Sequence, residues 1–198
     1  DETVRLFENN LLEKLSRVHW TVPIWIFSPI IFFFFYRAIF LFGLSLKIIL
    51  LWFLVGIFVW TFTEYFLHRF VFHYQPKSEL GNRLHFLMHG VHHAYPKDSK
   101  RLVMPPAVSL PLATLFFIFY LKILGNVIVA PFFAGFLTGY LFYDITHYAI
   151  HHFNFRNKLL LALKNHHAKH HYQNPELGFG VSQPTWDYVF GTDFKIKN

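Results

Sequence analysis

The sequence predicts an all-α integral membrane protein with about four transmembrane helices and a cytosolic helical cap that holds a histidine-rich dimetal site. Three observations predict it. Four long apolar runs are separated by short polar breaks. The basic residues gather in the segments that such runs would leave on one side of a bilayer. Ten of the 14 histidines fall in short clusters within those same segments. The composition agrees: of 198 residues, 54% are hydrophobic and 21% aromatic, with 15% charged, against about 25% charged in an average soluble domain. So much apolar surface excludes a disordered chain. It also exceeds what one small soluble domain could bury. Cysteine is absent, which excludes disulfides, zinc–thiolate sites, iron–sulfur clusters and thiol nucleophiles.

The chain reads as one domain over residues 1–198. Segment 1–21 carries Phe7, Leu11, Leu15 and Val18 at helical spacing. It is expected to form an amphipathic helix on the membrane surface or against the cap. Its mixed charges and the lack of a small-residue cleavage site argue against a cleavable signal. Spans are expected near 22–46, 48–67, 107–124 and 127–142, since a bilayer core of about 30 Å needs roughly 17–25 helical residues. The fourth is short and calls for tilt or local thinning. Gly125-Asn126 divides the third from the fourth, so these two form a helical hairpin. Met104-Pro105-Pro106 turns the chain back toward the bilayer, because proline suits a helix start.

Four crossings place 1–21, 68–106 and 143–198 on one face. All of the 18 Lys and Arg residues except Arg37, Lys47 and Lys122 lie there, and the positive-inside rule makes that face cytosolic. The net charge of +7 thus reads as orientation and attraction to anionic headgroups. No dense basic run with stacking partners suggests nucleic acid.

The histidines carry the chemistry. His89, His92 and His93 stand at i, i+3 and i+4, as do His167, His170 and His171, and a helix puts each set on one stripe. His147 and His151 are at i and i+4. His68 and His73 are five apart, about 140° around a regular α-helix, so they converge only if the helix frays or ends between them. A tetrahedral zinc takes four ligands; ten convergent imidazoles imply two ions. Imidazole suits zinc, copper, nickel and iron. A closed zinc site that staples helices is the plain structural alternative. His19, His85, His152 and His166 remain unassigned. Metal-bound imidazoles usually donate their other N–H to an acceptor. Asp144, three residues before His147, and Glu64, four before His68, are the candidates, with Asp187 a weaker one. A carboxylate near the end of an apolar span is costly and suggests function; for Glu64 the alternative is a salt bridge to Arg69 or another cytosolic base.

The order His68-x4-His73, His89-x2-His92-His93, His147-x3-His151, His167-x2-His170-His171 resembles the membrane fatty acid hydroxylase superfamily, which includes sterol desaturases, sterol methyl oxidases, carotenoid hydroxylases and fatty acid 2-hydroxylases. The run from His89 to Pro106 is similar to the sphingolipid fatty acid 2-hydroxylase pattern. So are Tyr143-Asp144-x2-His147-Tyr148, Gly178-Phe-Gly-Val-Ser182 and Trp186-Asp-x-Val-Phe-Gly-Thr192. The resemblance covers most of the chain from Glu64 onward.

That resemblance implies O2-dependent hydroxylation at carbon 2 of a long acyl chain, free or in a ceramide-like lipid, by two iron ions held by the ten clustered histidines. Zinc in a purified sample would not contradict this, because histidine sites bind zinc well. Arg101 is expected to contact a headgroup or carboxylate. Tyr143, Tyr148 and Tyr172 are expected to reach substrate or oxygen, with interfacial anchoring as their alternative role. Eukaryotic members often carry an N-terminal haem domain of the cytochrome b type. About twenty residues precede the first span here, so the electron donor is expected to be a separate protein of cytochrome b or ferredoxin type, or the chain a part of a longer one. The endoplasmic reticulum and a bacterial inner membrane both fit. The competing readings are sterol or carotenoid oxidation or desaturation within the superfamily, and a zinc-binding scaffold or transporter. Transport predicts ligands along a path within the spans, whereas these histidines gather at span ends on one side.

Overall fold

Long runs of Phe, Leu and Ile form helices wherever proline and glycine do not interrupt them. A computed structural model describes residues 4–194, and every regular element among them is helical. The elements are α1 (Asn10–Leu15), α2 (Val22–Tyr36), α3 (Leu46–Phe66), α4 (Glu79–His85), α5 (Val91–Ala94), α6 (Pro106–His152), α7 (Lys158–Tyr172) and α8 (Thr185–Phe190). Three π-helical segments extend or link them: Arg37–Leu41 after α2, Leu67–Phe72 after α3, and Phe86–Gly90 between α4 and α5. The contacts divide the chain into two compact units, one of residues 21–61 and 104–144, the other of 4–20, 62–103 and 145–194.

The first unit is apolar. Three helices are long and apolar enough to cross a membrane: Val22–Leu41, Leu46–Phe72 and Pro106–His152. The first stops short of residue 46 because Gly43 takes φ 56°, which ends helical winding. Gly125 (φ 72°, ψ 170°) interrupts α6. Ring pairs then straddle it at nearly equal separations: Phe117 with Phe133 (5.3 Å), Tyr120 with Phe132 (4.6 Å) and Phe116 with Phe136 (5.2 Å). The two halves of α6 therefore run antiparallel, as a hairpin. Close backbone approach brings α3 onto the second half. A Cβ built on Gly56 would sit 2.0 Å from the Phe132 carbonyl oxygen, and one on Gly135 would sit 2.0 Å from that of Phe53. Small residues at a helix crossing allow this contact where lipid supplies no hydrophobic drive. Phe32, Phe40, Leu54, Phe58 and Leu115 stay exposed along these helices, as a lipid-facing surface requires.

The second unit carries all the clustered histidines. Its N-terminal segment departs from expectation. Instead of one amphipathic helix over 1–21, a six-residue helix, Asn10–Leu15, starts at an Asn9 cap whose Oδ1 accepts from the N–H of Leu11 and Leu12. Residues 1–3 of that expected helix lie outside the described residues, as do 195–198 of the expected cap. The physical reason lies in Glu13. Its carboxylate turns inward to accept from the N–H of Leu6 (2.9 Å) and Phe7 (3.2 Å), which folds the preceding strand of chain back across the helix. Phe7 thus precedes the helix, while Leu11 and Leu15 are exposed and Val18 is buried. Ser78 caps α4 and Asn157 caps α7. These caps fix where the histidine-bearing helices begin.

Candidate dimetal centre

The ten rings singled out by spacing come together in the second unit as two groups of five. One holds His68, His73, His89, His93 and His170; the other holds His92, His147, His151, His167 and His171. Within each group the facing ring nitrogens all lie within 4.8 Å of one another, and either group could hold a metal ion.

Local winding explains the grouping. His68 and His73 meet without the helix fraying between them. The π-helical turn Leu67–Phe72 places residues five apart in register, and the His73 N–H donates to the His68 carbonyl (3.1 Å). The i, i+4 pairs each serve one group: His89 with His93, His147 with His151, His167 with His171. The i+3 residues, His92 and His170, cross to the other group. The rings of His93 and His171, one from each group, stack at 4.2 Å between centroids.

The donor set fits metal ions. His68 Nδ1 donates to the Phe179 carbonyl (2.5 Å) and His170 Nδ1 donates to that of Leu177 (2.7 Å). A carbonyl only accepts, so each neutral ring carries its lone pair on Nε2. Those Nε2 atoms point inward. His68 Nε2 lies 3.1 Å from His89 Nε2, and His170 Nε2 lies 3.0 Å from His73 Nε2. His89 Nε2 also lies 3.1 Å from His73 Nε2 and 3.0 Å from His93 Nε2. One nitrogen with at most one proton cannot satisfy three such neighbours, whereas a cation among them attracts every lone pair. The second group repeats this around His167 Nε2, with His147, His151 and His171 at 2.9–3.0 Å. Metal–nitrogen bonds of about 2.1 Å set at right angles would space the nitrogens by roughly 3.0 Å, and tetrahedral angles by roughly 3.4 Å. The observed spacing matches the right-angled arrangement of five or more ligands.

Electrostatics favours the ligand form of these rings. Burial, reinforced by the neighbouring imidazoles, pushes His89, His92 and His167 well below the ordinary histidine range. It brings His73 down to about 3 and His93 and His170 to about 4, and it lowers His171 further still. All seven are neutral at physiological pH, as metal ligation requires.

The acceptors that orient the rings come from residues 177–182. The hydrogen bonds of Glu64 go to the loop. Its carboxylate accepts from the N–H of Val181 and Ser182 (both 2.8 Å) and from Ser182 Oγ. It therefore acts on the loop that supplies the Phe179 carbonyl, and makes no salt bridge to Arg69. That guanidinium donates instead to Tyr65 Oη (2.7 Å). Asp187, fully buried, is the loop's centre: Oδ1 accepts from the N–H of Phe179 and from Thr192 Oγ1, and Oδ2 from the N–H of Gly180 and from His166 Nε2. Gly180 is required there, since a Cβ would fall 2.1 Å from the Gln183 carbonyl oxygen.

The other expected site residues lie elsewhere. Asp144 and Tyr143 belong to the apolar unit. Asp144 is buried and accepts from Tyr140 Oη (3.2 Å), and Tyr143 packs on Trp60. Tyr148 is stacked between Trp20 and His152, and Tyr172 is exposed. Arg101 meets the N-terminal segment. It is buried, and its guanidinium is taken up by Glu13 (2.5 Å), Ser16 Oγ (2.7 Å) and the Val4 carbonyl (2.7 Å), with Asp98 at 3.5 Å. It anchors the N-terminal segment. The unassigned His166 belongs to Asp187, and His152 stacks on Tyr148.

Paired five-imidazole groups joined to long apolar helices define a membrane protein of the histidine-rich metal-binding class. The chain belongs to the fatty acid hydroxylase family, whose model matches residues 53–192. It is 41% identical to a dihydroceramide fatty acyl 2-hydroxylase of Arabidopsis thaliana, over 96% of this chain and 80% of that protein. It is 38% identical to a ceramide very long chain fatty acid hydroxylase of Schizosaccharomyces pombe and 36% identical to the fatty acid 2-hydroxylase of Homo sapiens, again over 96% of this chain. It spans only 55% and 56% of those two proteins. The structure of full-length scs7p, in which only the hydroxylase domain is visible, matches with a TM-score of 0.88 at 38% identity, covering 93% of this chain and 70% of that one.

Proposed function

We propose that the protein is an O2-dependent hydroxylase that adds a hydroxyl group at carbon 2 of a long-chain fatty acyl group, free or in a ceramide-like sphingolipid. The observation that carries this reading is the pair of five-imidazole groups in a chain that is similar over nearly its whole length to proteins named as fatty acyl 2-hydroxylases. Replacing the C–H bond at carbon 2 by C–OH is a two-electron oxidation, which proton transfer by acids and bases alone cannot perform. Two redox-active ions, which we assign as iron, would supply the oxidising power of O2. The balance is one oxygen atom inserted into the C–H bond and one released as water, with two protons and two electrons from an external donor of cytochrome b or ferredoxin type. The chain's own part is to present ten imidazoles, five to each ion, and to hold His68 and His170 in one orientation by the carbonyls of Phe179 and Leu177. Rigid orientation of the ligands is what sets an ion's affinity and potential.

For topology, we assign four crossings, with the two halves of α6 counted separately, and place the histidine face on the cytosolic side. The support is the concentration of Lys and Arg in 1–21, 68–106 and 143–198. An endoplasmic reticulum or bacterial inner membrane suits that orientation. The test is lipid profiling of cells expressing the protein beside its His92→Ala variant. Wild-type cells should gain 2-hydroxylated acyl chains and the variant should not. Equal amounts from both would overturn the assignment, and an altered sterol or carotenoid would move it to another chemistry of the superfamily.

A further inference from the structure

The two histidine groups differ in what holds them. In the first, His68 and His170 each donate from Nδ1 to a carbonyl of the segment 177–182, at Phe179 and Leu177. In the second, Nδ1 of His167 and Nδ1 of His171 are buried without a hydrogen-bond partner. The segment therefore serves one group. It is in turn shaped by one side chain. Asp187 receives the N–H of Phe179 (2.8 Å), the N–H of Gly180 (2.8 Å), Thr192 Oγ1 (2.7 Å) and His166 Nε2 (3.1 Å). These four donors use its acceptor capacity, so it cannot itself ligate an ion. The Gly178 N–H closes the far end by donating to the Thr192 carbonyl (2.8 Å). Gly178 itself sits at φ 73°, a conformation that suits glycine.

We propose that Asp187 is a positioning residue for one half of the centre. It holds the loop that aims His68 and His170, so its loss weakens the ion in the group of His68, His73, His89, His93 and His170 and spares the other. This rests on the reading that each group holds one ion, and the test separates the two claims. The full chain in detergent micelles is loaded with Zn2+ alone, freed of excess, and its ions per chain are counted. Helicity is recorded in parallel.

Wild type should hold two ions; fewer than two sinks the reading of the site and this proposal with it. Asp187→Ala should hold one. Adding His167→Ala to it should leave none, because that change empties the other group. Adding His89→Ala should still leave one, because both changes strike the same group. Asp187→Asn keeps one acceptor oxygen and should rescue: two ions remain, but one of them passes to a chelator about 10-fold faster than in wild type, at the low end of what loss of an orienting contact costs. Two tightly held ions in Asp187→Ala, loss of both, or loss of the remaining ion on adding His89→Ala would each overturn the proposal. If Asp187→Ala fails to fold, the Asp187→Asn release kinetics decide: one fast ion supports it, and two equally fast or two unchanged ions refute it.

Discussion

Replacing Glu64 tests whether the loop beside the histidines is held from α3. Glu64 is 2% exposed and accepts from the N–H of Val181 and Ser182 and from Ser182 Oγ. In Glu64→Ala the Val181 N–H, on a fully buried residue, has no partner and no water. A buried donor left unmade costs about 1–3 kcal/mol, and hydrogen bonds to charged groups contribute about 1.5–3 kcal/mol each. The Ser182 N–H is part-buried, so water recovers some of its loss. The sum is about 3–5 kcal/mol. For a chain of this size, with about 2–4 °C per kcal/mol, that lowers the thermal midpoint by roughly 10 °C. Glu64→Gln separates hydrogen bonding from bulk. Its amide oxygen keeps both N–H donors, and its NH2 meets Ser182 Oγ, which turns to accept. Its cost should stay below about 1.5 kcal/mol. Circular dichroism melts at one scan rate compare the three proteins. Equal damage from Gln and Ala, or no shift with Ala, would refute the view that this carboxylate anchors the loop.

Two further outcomes follow from the packing. Gly135→Ala gains about 1 kcal/mol of helix propensity, but its Cβ meets the Phe53 carbonyl at 2.0 Å, where only backbone movement gives relief; the overpacking cost of about 1–3 kcal/mol should win, so the melt falls, whereas a raised midpoint would show that α3 shifts freely. Glu13 is held at about 2: burial works to raise it, but the N–H groups of Leu6 and Phe7 and the guanidinium groups of Arg17 and Arg101 outweigh that. A depressed carboxylate stabilises above its unfolded value of 4.5 and loses that stabilisation as pH falls toward 2, so hydrogen exchange over residues 4–18 should rise across that window. Arg101→Ala should show the same loss of protection already at pH 7, and unchanged exchange would refute the anchoring role.

The histidine stripes were legible because i, i+4 spacing has one geometric meaning on a helix, and His147 with His151 shows it. The crossing of His92 and His170 to the opposite groups was not, because spacing alone does not say which side of a stripe meets which ion. For His68 and His73, α periodicity calls for a helix that frays or ends between them and gives no sign of the π turn Leu67–Phe72 that joins them. The hairpin at Gly125 was visible as a break in an apolar run. The pairing of Arg101 with Glu13, 88 residues away in sequence, left no sequence signal, because a basic residue near histidines looks the same whatever it meets. The carbonyls of Leu177 and Phe179 had no side-chain signal at all. Their trace was the Gly178-Phe-Gly-Val-Ser182 string, and Asp187 stood as a weaker acceptor candidate within Trp186-Asp-x-Val-Phe-Gly-Thr192 with nothing to tie it to that string.

The interleaving has a consequence for how the centre can be tuned. His89 and His93 face one group while His92 between them faces the other, and His167 and His171 face one group while His170 faces the other. Both groups therefore share two helical segments, and a shift of either segment moves ligands of both. A reaction that needs both ions at a fixed separation benefits, since the helices cannot alter one site and leave its neighbour. Independent adjustment has to come from outside the shared helices. The segment 177–182 is so placed: its carbonyls meet His68 and His170, both in one group, and its anchors on Glu64 and Asp187 touch neither group directly. The symmetry of the ligand count thus conceals an asymmetry of support: these carbonyls hold two rings of one group, while Nδ1 of His167 and of His171 in the other is buried without a hydrogen bond.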